Sequence, residues 1–436
     1  MSDAAIADPR PYDLLIRQAR LFADPQLAAA PQTETLWDIG MRDGKIAEIE
    51  PHLPGPATQE IDAQGNLASP PLVESHIHLD SVLTAGQPRW NQSGTLFEGI
   101  EIWGDRKQSL THEDVKARAL QALQLQASQG VLHVRSHVDV SEPKLIALQA
   151  LLEVRAQVSR WMDLQLVAFP QDGLYGASQN EALLEEALKL GADVVGGIPH
   201  YELTREDGVR SVHRLFDLAE QYDRPLDFHC DEIDDPQSRF LEVVAACALR
   251  RGMGDRTTAS HTTAFGSYDN GYATKLMGLL RRARINFIAN PLINITLQGR
   301  GDSYPKRRGV TRVKELWQAG LNVSLGHDCI QDPWYSLGSG NPLDVAHMAA
   351  HVCQMTGQAE LEACYAMVTR NGAKTLGIQD YGIYRGGPAN LVLLAAPGPR
   401  EALCQRAIAT TVITRGHCLS QTTLPQQHWS PPVQAF

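Results

Sequence analysis

The run Leu72-Val73-Glu74-Ser75-His76-Ile77-His78-Leu79-Asp80 places two histidines two residues apart inside a short, mostly apolar segment. In an extended strand, residues at that spacing face the same side, so His76 and His78 project together. Two imidazoles aimed one way can hold a metal ion. They can equally be satisfied core histidines, and the surrounding chain has to decide.

From residue 67 to 379, apolar strands alternate with amphipathic helices, which is how a parallel β/α architecture looks in sequence. Strands are expected at 72–78, 131–137, 164–169, 193–198, 226–229, 257–261, 285–289 and 322–326, with helices at 145–158, 181–190 and 238–250. Eight strands close a (β/α)8 TIM barrel. Outside this region the texture changes. Residues 12–17, 36–40 and 45–49 read as short strands around an Asp43-Gly44 hairpin turn, and 24–32 as a surface loop. Strands return at 390–394 and 411–416. The expected organisation is an α/β fold in which 1–66 and 380–436 form a small β-sandwich from both termini, and 67–379 form the barrel.

The 436 residues are 43% hydrophobic and 20% charged, ordinary globular material with room for a barrel and a satellite. A net charge of -11 argues against a nucleic-acid polymer as partner, because neutralising phosphates needs clustered Lys and Arg. The basic run Lys306-Arg307-Arg308 is too short to serve as a binding arm. Seven cysteines without paired spacing fit free thiols in a reducing compartment. Residues 1–8 lack the features of a secretory signal, and no run approaches the about 18 apolar residues of a membrane span. A cytoplasmic protein with no membrane partner is expected.

Nearly every expected barrel strand ends in His, Asp, Gln or Glu: His76 and His78, His137 and Asp139, Gln171, His200, His229-Cys230-Asp231-Glu232, His261, and His327-Asp328. In a barrel, those ends converge on one face, where active sites of this fold lie. His76, His78, His229 and Asp328 fit one divalent metal, three neutral nitrogens and a carboxylate, with a position left for water. Such a centre lowers the pKa of water from about 15.7 to about 7. Many barrels of this kind bridge two metals with a lysine at the end of the fourth strand, but Val194-Val195-Gly196-Gly197-Ile198-Pro199-His200 contains none, so one ion per subunit is expected. Glu232 is placed as a proton shuttle, with His261 and Asp328 flanking the water. His137, His200 and His327 are equally suited to supporting or purely structural duty.

Together with Trp90-Asn91-Gln92-Ser93-Gly94-Thr95-Leu96-Phe97-Glu98-Gly99-Ile100, Val167-Ala168-Phe169-Pro170-Gln171, Ser260-His261-Thr262-Thr263, Tyr304-Pro305-Lys306-Arg307-Arg308-Gly309 and Asp332-Pro333-Trp334-Tyr335, these motifs resemble the amidohydrolase superfamily, and within it the bacterial cytosine deaminases. The resemblance covers most of the chain. It implies that His76, His78, His229 and Asp328 ligate Fe(II) or Zn(II), and that Gln171 binds the pyrimidine carbonyl edge between walls formed by Leu96, Phe169 and Trp334. It further implies that Glu232 protonates ring N3 while metal hydroxide attacks C4, with His261 and Asp328 handling the water's proton. A homo-oligomer acting on a small nucleobase is implied as well. The other deaminase fold is excluded, since the chain has no His-x-Glu with Pro-Cys-x-x-Cys.

One position departs from the pattern. Cytosine deaminases of this type usually carry a second Asp after the metal-binding Asp, whereas Cys329 follows Asp328 here. The resemblance implies that this position faces C5, where a small uncharged thiol leaves an apolar niche for a methyl group; the expected substrate is cytosine and/or 5-methylcytosine, and Cys329 as a tolerated variation in an ordinary cytosine deaminase stays open as well. Filling such a niche changes selectivity by about 1–3 kcal/mol. Another cyclic amidine (isocytosine, isoguanine or creatinine), or a non-catalytic base-binding role, stays open at this point.

Overall fold

The computed structural model describes residues 12–21 and 35–424. The loop expected at 24–32 lies outside the described residues. The eight barrel strands are Leu72–Ile77, Val131–Asp139, Asp163–Phe169, Val194–Gly197, Leu226–Cys230, Thr257–His261, Asn286–Ala289 and Val323–Leu325. Each pairs in parallel with the next in sequence order, and almost all of their residues are buried, as a sheet covered on both faces requires. The second strand runs two residues past the expected end and carries Asp139 to its tip.

The helices lie outside the sheet and bury one stripe each. Asn180–Leu190 turns Leu184, Ala187 and Leu188 inward and stops at Gly191, whose φ of +115° suits glycine. His112–Ser128 starts at Thr111, whose hydroxyl accepts from the Asp114 N–H. Inside the same helix, Arg118 donates to the carbonyls of Asp80 and Val82, both at 2.8 Å, and so ties down the chain just after the first strand.

The barrel closes where the first strand meets the eighth. Asp328 N–H donates to the His76 carbonyl at 2.8 Å, and His78 N–H donates to the Asp328 carbonyl at 3.1 Å. Glu74 braces this seam from within. Its carboxylate accepts from the His327 N–H at 2.9 Å, the His76 N–H at 3.1 Å and the Gln126 amide at 3.2 Å. Burial pushes the Glu74 carboxyl up to about 8.

Strands from both ends of the sequence form a second, mixed sheet. Tyr12–Leu21 is its spine, pairing antiparallel with Trp37–Arg42 and parallel with Ala57–Asp62 and Leu67–Ser69. Leu67–Ser69 then pairs with Leu391–Leu394, which continues into Ala409–Thr414 and His417–Gln421. The expected sandwich is thus built as one continuous strand path, because the spine changes partner along its length, with an irregularity between Ile16 and Ala19. Leu14, Ile16, Ile39 and Met41 share one core with Leu391, Leu393 and Ile413. Among the described residues, no helix is long and apolar enough to cross a membrane.

Replacing Glu74 with Ala orphans two buried backbone N–H groups and an amide, each worth about 1–3 kcal/mol. Glu74→Ala should therefore lose about 3 kcal/mol or more of unfolding free energy in urea titrations of metal-free protein. A loss under about 1 kcal/mol, the size of an ordinary substitution, would show that the seam holds without its brace.

Candidate active site and metal centre

The strand ends place their polar residues on one face of the barrel. His76 and His78 come from the first strand and the residue after it, His229 from the fifth strand, and Asp328 from just past the eighth. All four are buried. The Nε2 atoms of His78 and His229 lie 3.1 Å apart, and those of His76 and His78 lie 3.5 and 3.3 Å from the same Asp328 oxygen. Among the described residues, His76 Nε2 has no hydrogen-bond partner.

Lone pairs converging this closely are stable only around a proton or a cation. Burial and the neighbouring imidazoles hold His76 and His229 well below the usual histidine range, so both are neutral, the form that ligates metals. Burial also pulls His78 down, but the facing Asp328 outweighs it and raises the ring to about 9. Asp328 itself is pushed up by burial and brought below the usual carboxylate range by His261 and His78. Three imidazole nitrogens and one carboxylate, in a pocket that favours positive charge, fit a divalent transition metal.

His261 and Glu232 form the other half of the site. His261 Nδ1 lies 3.0 Å from Glu232 Oε1, and His261 Nε2 lies 3.7 Å from the second Asp328 oxygen. Burial lowers the His261 pKa, but Glu232 and Asp328 outweigh it, so the ring lies above its ordinary value. His261 and Asp328 both adopt left-handed backbone, with φ of +66° and +69°. Such conformations cost a non-glycine residue about 1–3 kcal/mol and persist where the surroundings fix them.

Above these groups opens a cavity. Gln171, Leu96, Trp334 and Cys329 line it, as does His200. Cys329 is buried in a cluster with Ile293 and Leu297, flanked by Leu96, Trp334 and Tyr335. Burial, with Asp328 and Asp332 nearby, pushes its thiol well up, so it is neutral. Trp334 is seated by Gly99, where a Cβ would come within 2.3 Å of the indole, so only glycine fits beneath it.

One residue sits otherwise than expected, and His327 takes the structural duty open to it. Phe169 does not line the cavity: it is fully buried and stacks on His229, with ring centroids 4.0 Å apart, supporting that imidazole from behind. His327 is satisfied locally, between the Cys329 carbonyl at 2.9 Å and the Gly340 N–H at 3.0 Å. Asn290 and Asn294, absent from the expected site, flank the seventh strand's exit. The Asn290 amide lies 3.2 Å from His261 Nε2, and the Asn294 amide nitrogen lies 3.1 Å from His261 Nδ1 and 3.4 Å from Glu232 Oε1. Ile293 and Leu297 come from the same short helix, Pro291–Leu297. The Asn290-Pro291 step, a helix-start signal after an apolar run, was the available clue.

The chain is similar to the crystal structure of 5-methylcytosine deaminase from Klebsiella pneumoniae liganded with 5-fluorocytosine, at 50% identity and a TM-score of 0.91, covering 95% of this chain and 99% of that one. It is 29% identical over 415 residues to N-isopropylammelide isopropyl amidohydrolase of Pseudomonas sp. (strain ADP), covering 94% of this chain and 97% of that protein. It is 28% identical to pterin deaminase of Rhizobium rhizogenes, covering 90% of each. Residues 59–413 match the amidohydrolase family, and with this barrel and this cluster of histidines and carboxylates at its mouth, the chain belongs to that family.

Proposed function

We propose that the protein hydrolytically deaminates a free pyrimidine base, converting 5-methylcytosine to thymine and cytosine to uracil with release of ammonia. The observation that carries this reading is the near full-length similarity to 5-methylcytosine deaminase. The apolar cluster around Cys329 supports it, because a methyl group at C5 gains contact with Ile293 and Leu297 where a carboxylate would repel it.

His76, His78, His229 and Asp328 would hold one divalent ion, iron or zinc. When bound, that ion acts as a Lewis acid and makes hydroxide available at neutral pH. Gln171 presents both an amide donor and an acceptor to the pyrimidine edge, matching a carbonyl beside a ring N–H. Leu96 and Trp334 press on the ring faces and exclude solvent. Glu232 delivers a proton to ring N3, which makes C4 more electrophilic, and His261 at 3.0 Å keeps that carboxyl aimed. His261 and Asp328 accept the proton released by the attacking water. Addition of water at C4 followed by loss of ammonia leaves a carbonyl where the amine was.

Steady-state kinetics on cytosine, 5-methylcytosine, isocytosine, isoguanine and creatinine test the reading directly. Turnover of 5-methylcytosine at least equal to that of cytosine is expected. No ammonia from either base would overturn the assignment. Cys329→Asp should move the ratio of kcat/KM values toward cytosine by about tenfold or more, the effect of about 1–3 kcal/mol at one subsite.

Glu232→Gln should lower kcat by about 100-fold or more while metal content, read by elemental analysis, stays at one ion per chain. Full activity in that variant would remove its role as proton carrier. Removing the ion with a chelator should abolish turnover and lower Tm, since a ligand bound only to the folded state stabilises it by mass action. Chelated protein with unchanged activity would rule out the metal centre.

A further inference from the structure

We propose that Ser260 and Asp227 form a positioning relay that fixes the tautomer of His76 and aims its Nε2 lone pair at the metal ion. The inference rests on the metal-centre reading above. The three residues come from the sixth, fifth and first barrel strands and meet in the interior beneath the site, all fully buried.

The direction of each hydrogen bond follows from its neighbour. Arg135, from the second strand, donates to one Asp227 oxygen at 3.0 Å and is itself held by Gln165 and the Thr375 carbonyl. An always-charged guanidinium at that distance keeps Asp227 as an acceptor. The Ser260 hydroxyl lies 2.6 Å from the other Asp227 oxygen, so its proton points there. Only a lone pair of Ser260 then remains for His76 Nδ1 at 3.1 Å. Nδ1 must carry the proton, and Nε2 must carry the free pair. That Nε2 is the atom with no hydrogen-bond partner among the described residues, facing Asp328 at 3.5 Å.

His76 is distinguished in this from His229, whose Nδ1 finds no hydrogen-bond partner among the described residues. His137 packs against His76 with ring centroids 4.0 Å apart, so the ring cannot tip away to relieve a wrong tautomer. Groups that hold the far nitrogen of a ligating histidine typically contribute about 10–100-fold in metal affinity. Ser260 and Asp227 are positioning residues in this sense; neither touches substrate.

The test is competition between holoenzyme and a chromophoric chelator for zinc, with melting curves of the metal-free forms alongside. Ser260→Ala should bind zinc about 10–100-fold more weakly than wild type, while the metal-free variant melts within a few degrees of metal-free wild type and saturating zinc restores most of kcat. Ser260→Thr, which keeps the hydroxyl, should return affinity to near that of wild type. Wild type that retains zinc while Ser260→Ala binds it equally well overturns the relay alone. A threonine variant as weak as the alanine variant also overturns it, because the hydroxyl then is not what matters. Wild type that retains no zinc or iron overturns the metal-centre reading and the relay with it.

Discussion

Two backbone hydrogen bonds, Asp328 N–H to the His76 carbonyl and His78 N–H to the Asp328 carbonyl, hold the rest of the arrangement together. They join the ends of the eight-stranded sheet, and they do so at the residues that form the candidate metal centre. Asp328 is thereby set between His76 and His78 with no freedom of register. A slip of one residue would turn each side chain of the first strand to the opposite face. Glu74 removes the remaining freedom by gripping the backbone on both sides of the join. Closing the fold and assembling the site are one event.

The electrostatics follow from that placement. Burial keeps His76 and His229 neutral, and Asp328 supplies negative charge that makes a cation welcome among them. His261 stands between the two carboxylates, 3.0 Å from Glu232 and 3.7 Å from Asp328. The cavity above is mostly apolar, with Gln171 as a polar anchor at its wall and the neutral thiol of Cys329 on the side of Ile293. Orientation is left to few hydrogen bonds and discrimination to shape. That division suits a flat heterocycle, which has polar edges and apolar faces.

Much of this was legible in the sequence, for a specific reason. Parallel strands buried on both faces announce themselves as apolar runs, and a titratable residue at the end of such a run is costly unless it is used. His76, His78, His229, Glu232, His261 and Asp328 all carried that signal, and the barrel strands fell within a residue or two of their expected ends. Phe169 carried no comparable signal, since an aromatic ring at a strand end can support a histidine as readily as a substrate. Asn290 and Asn294 were passed over because the seventh strand ends without a charged group, and amides in a short helix look like ordinary capping residues. The continuous path of the terminal sheet was hidden for another reason. It depends on Tyr12–Leu21 changing partner midway, and strand irregularities of that kind leave little trace in residue type.

The second sheet has a consequence for how the protein is made. Leu67–Ser69 pairs with Leu391–Leu394, a segment translated more than three hundred residues later. At about 5–20 residues per second, the early strands leave the ribosome tens of seconds before their partner exists. During that interval an unpaired strand edge and the apolar surface of Leu14, Ile16 and Ile39 stand open to neighbouring nascent chains. The N-terminal strands can pair with one another early, but the sheet is complete only when Leu391–Leu394 arrives, and chaperone demand during synthesis should concentrate on that open edge.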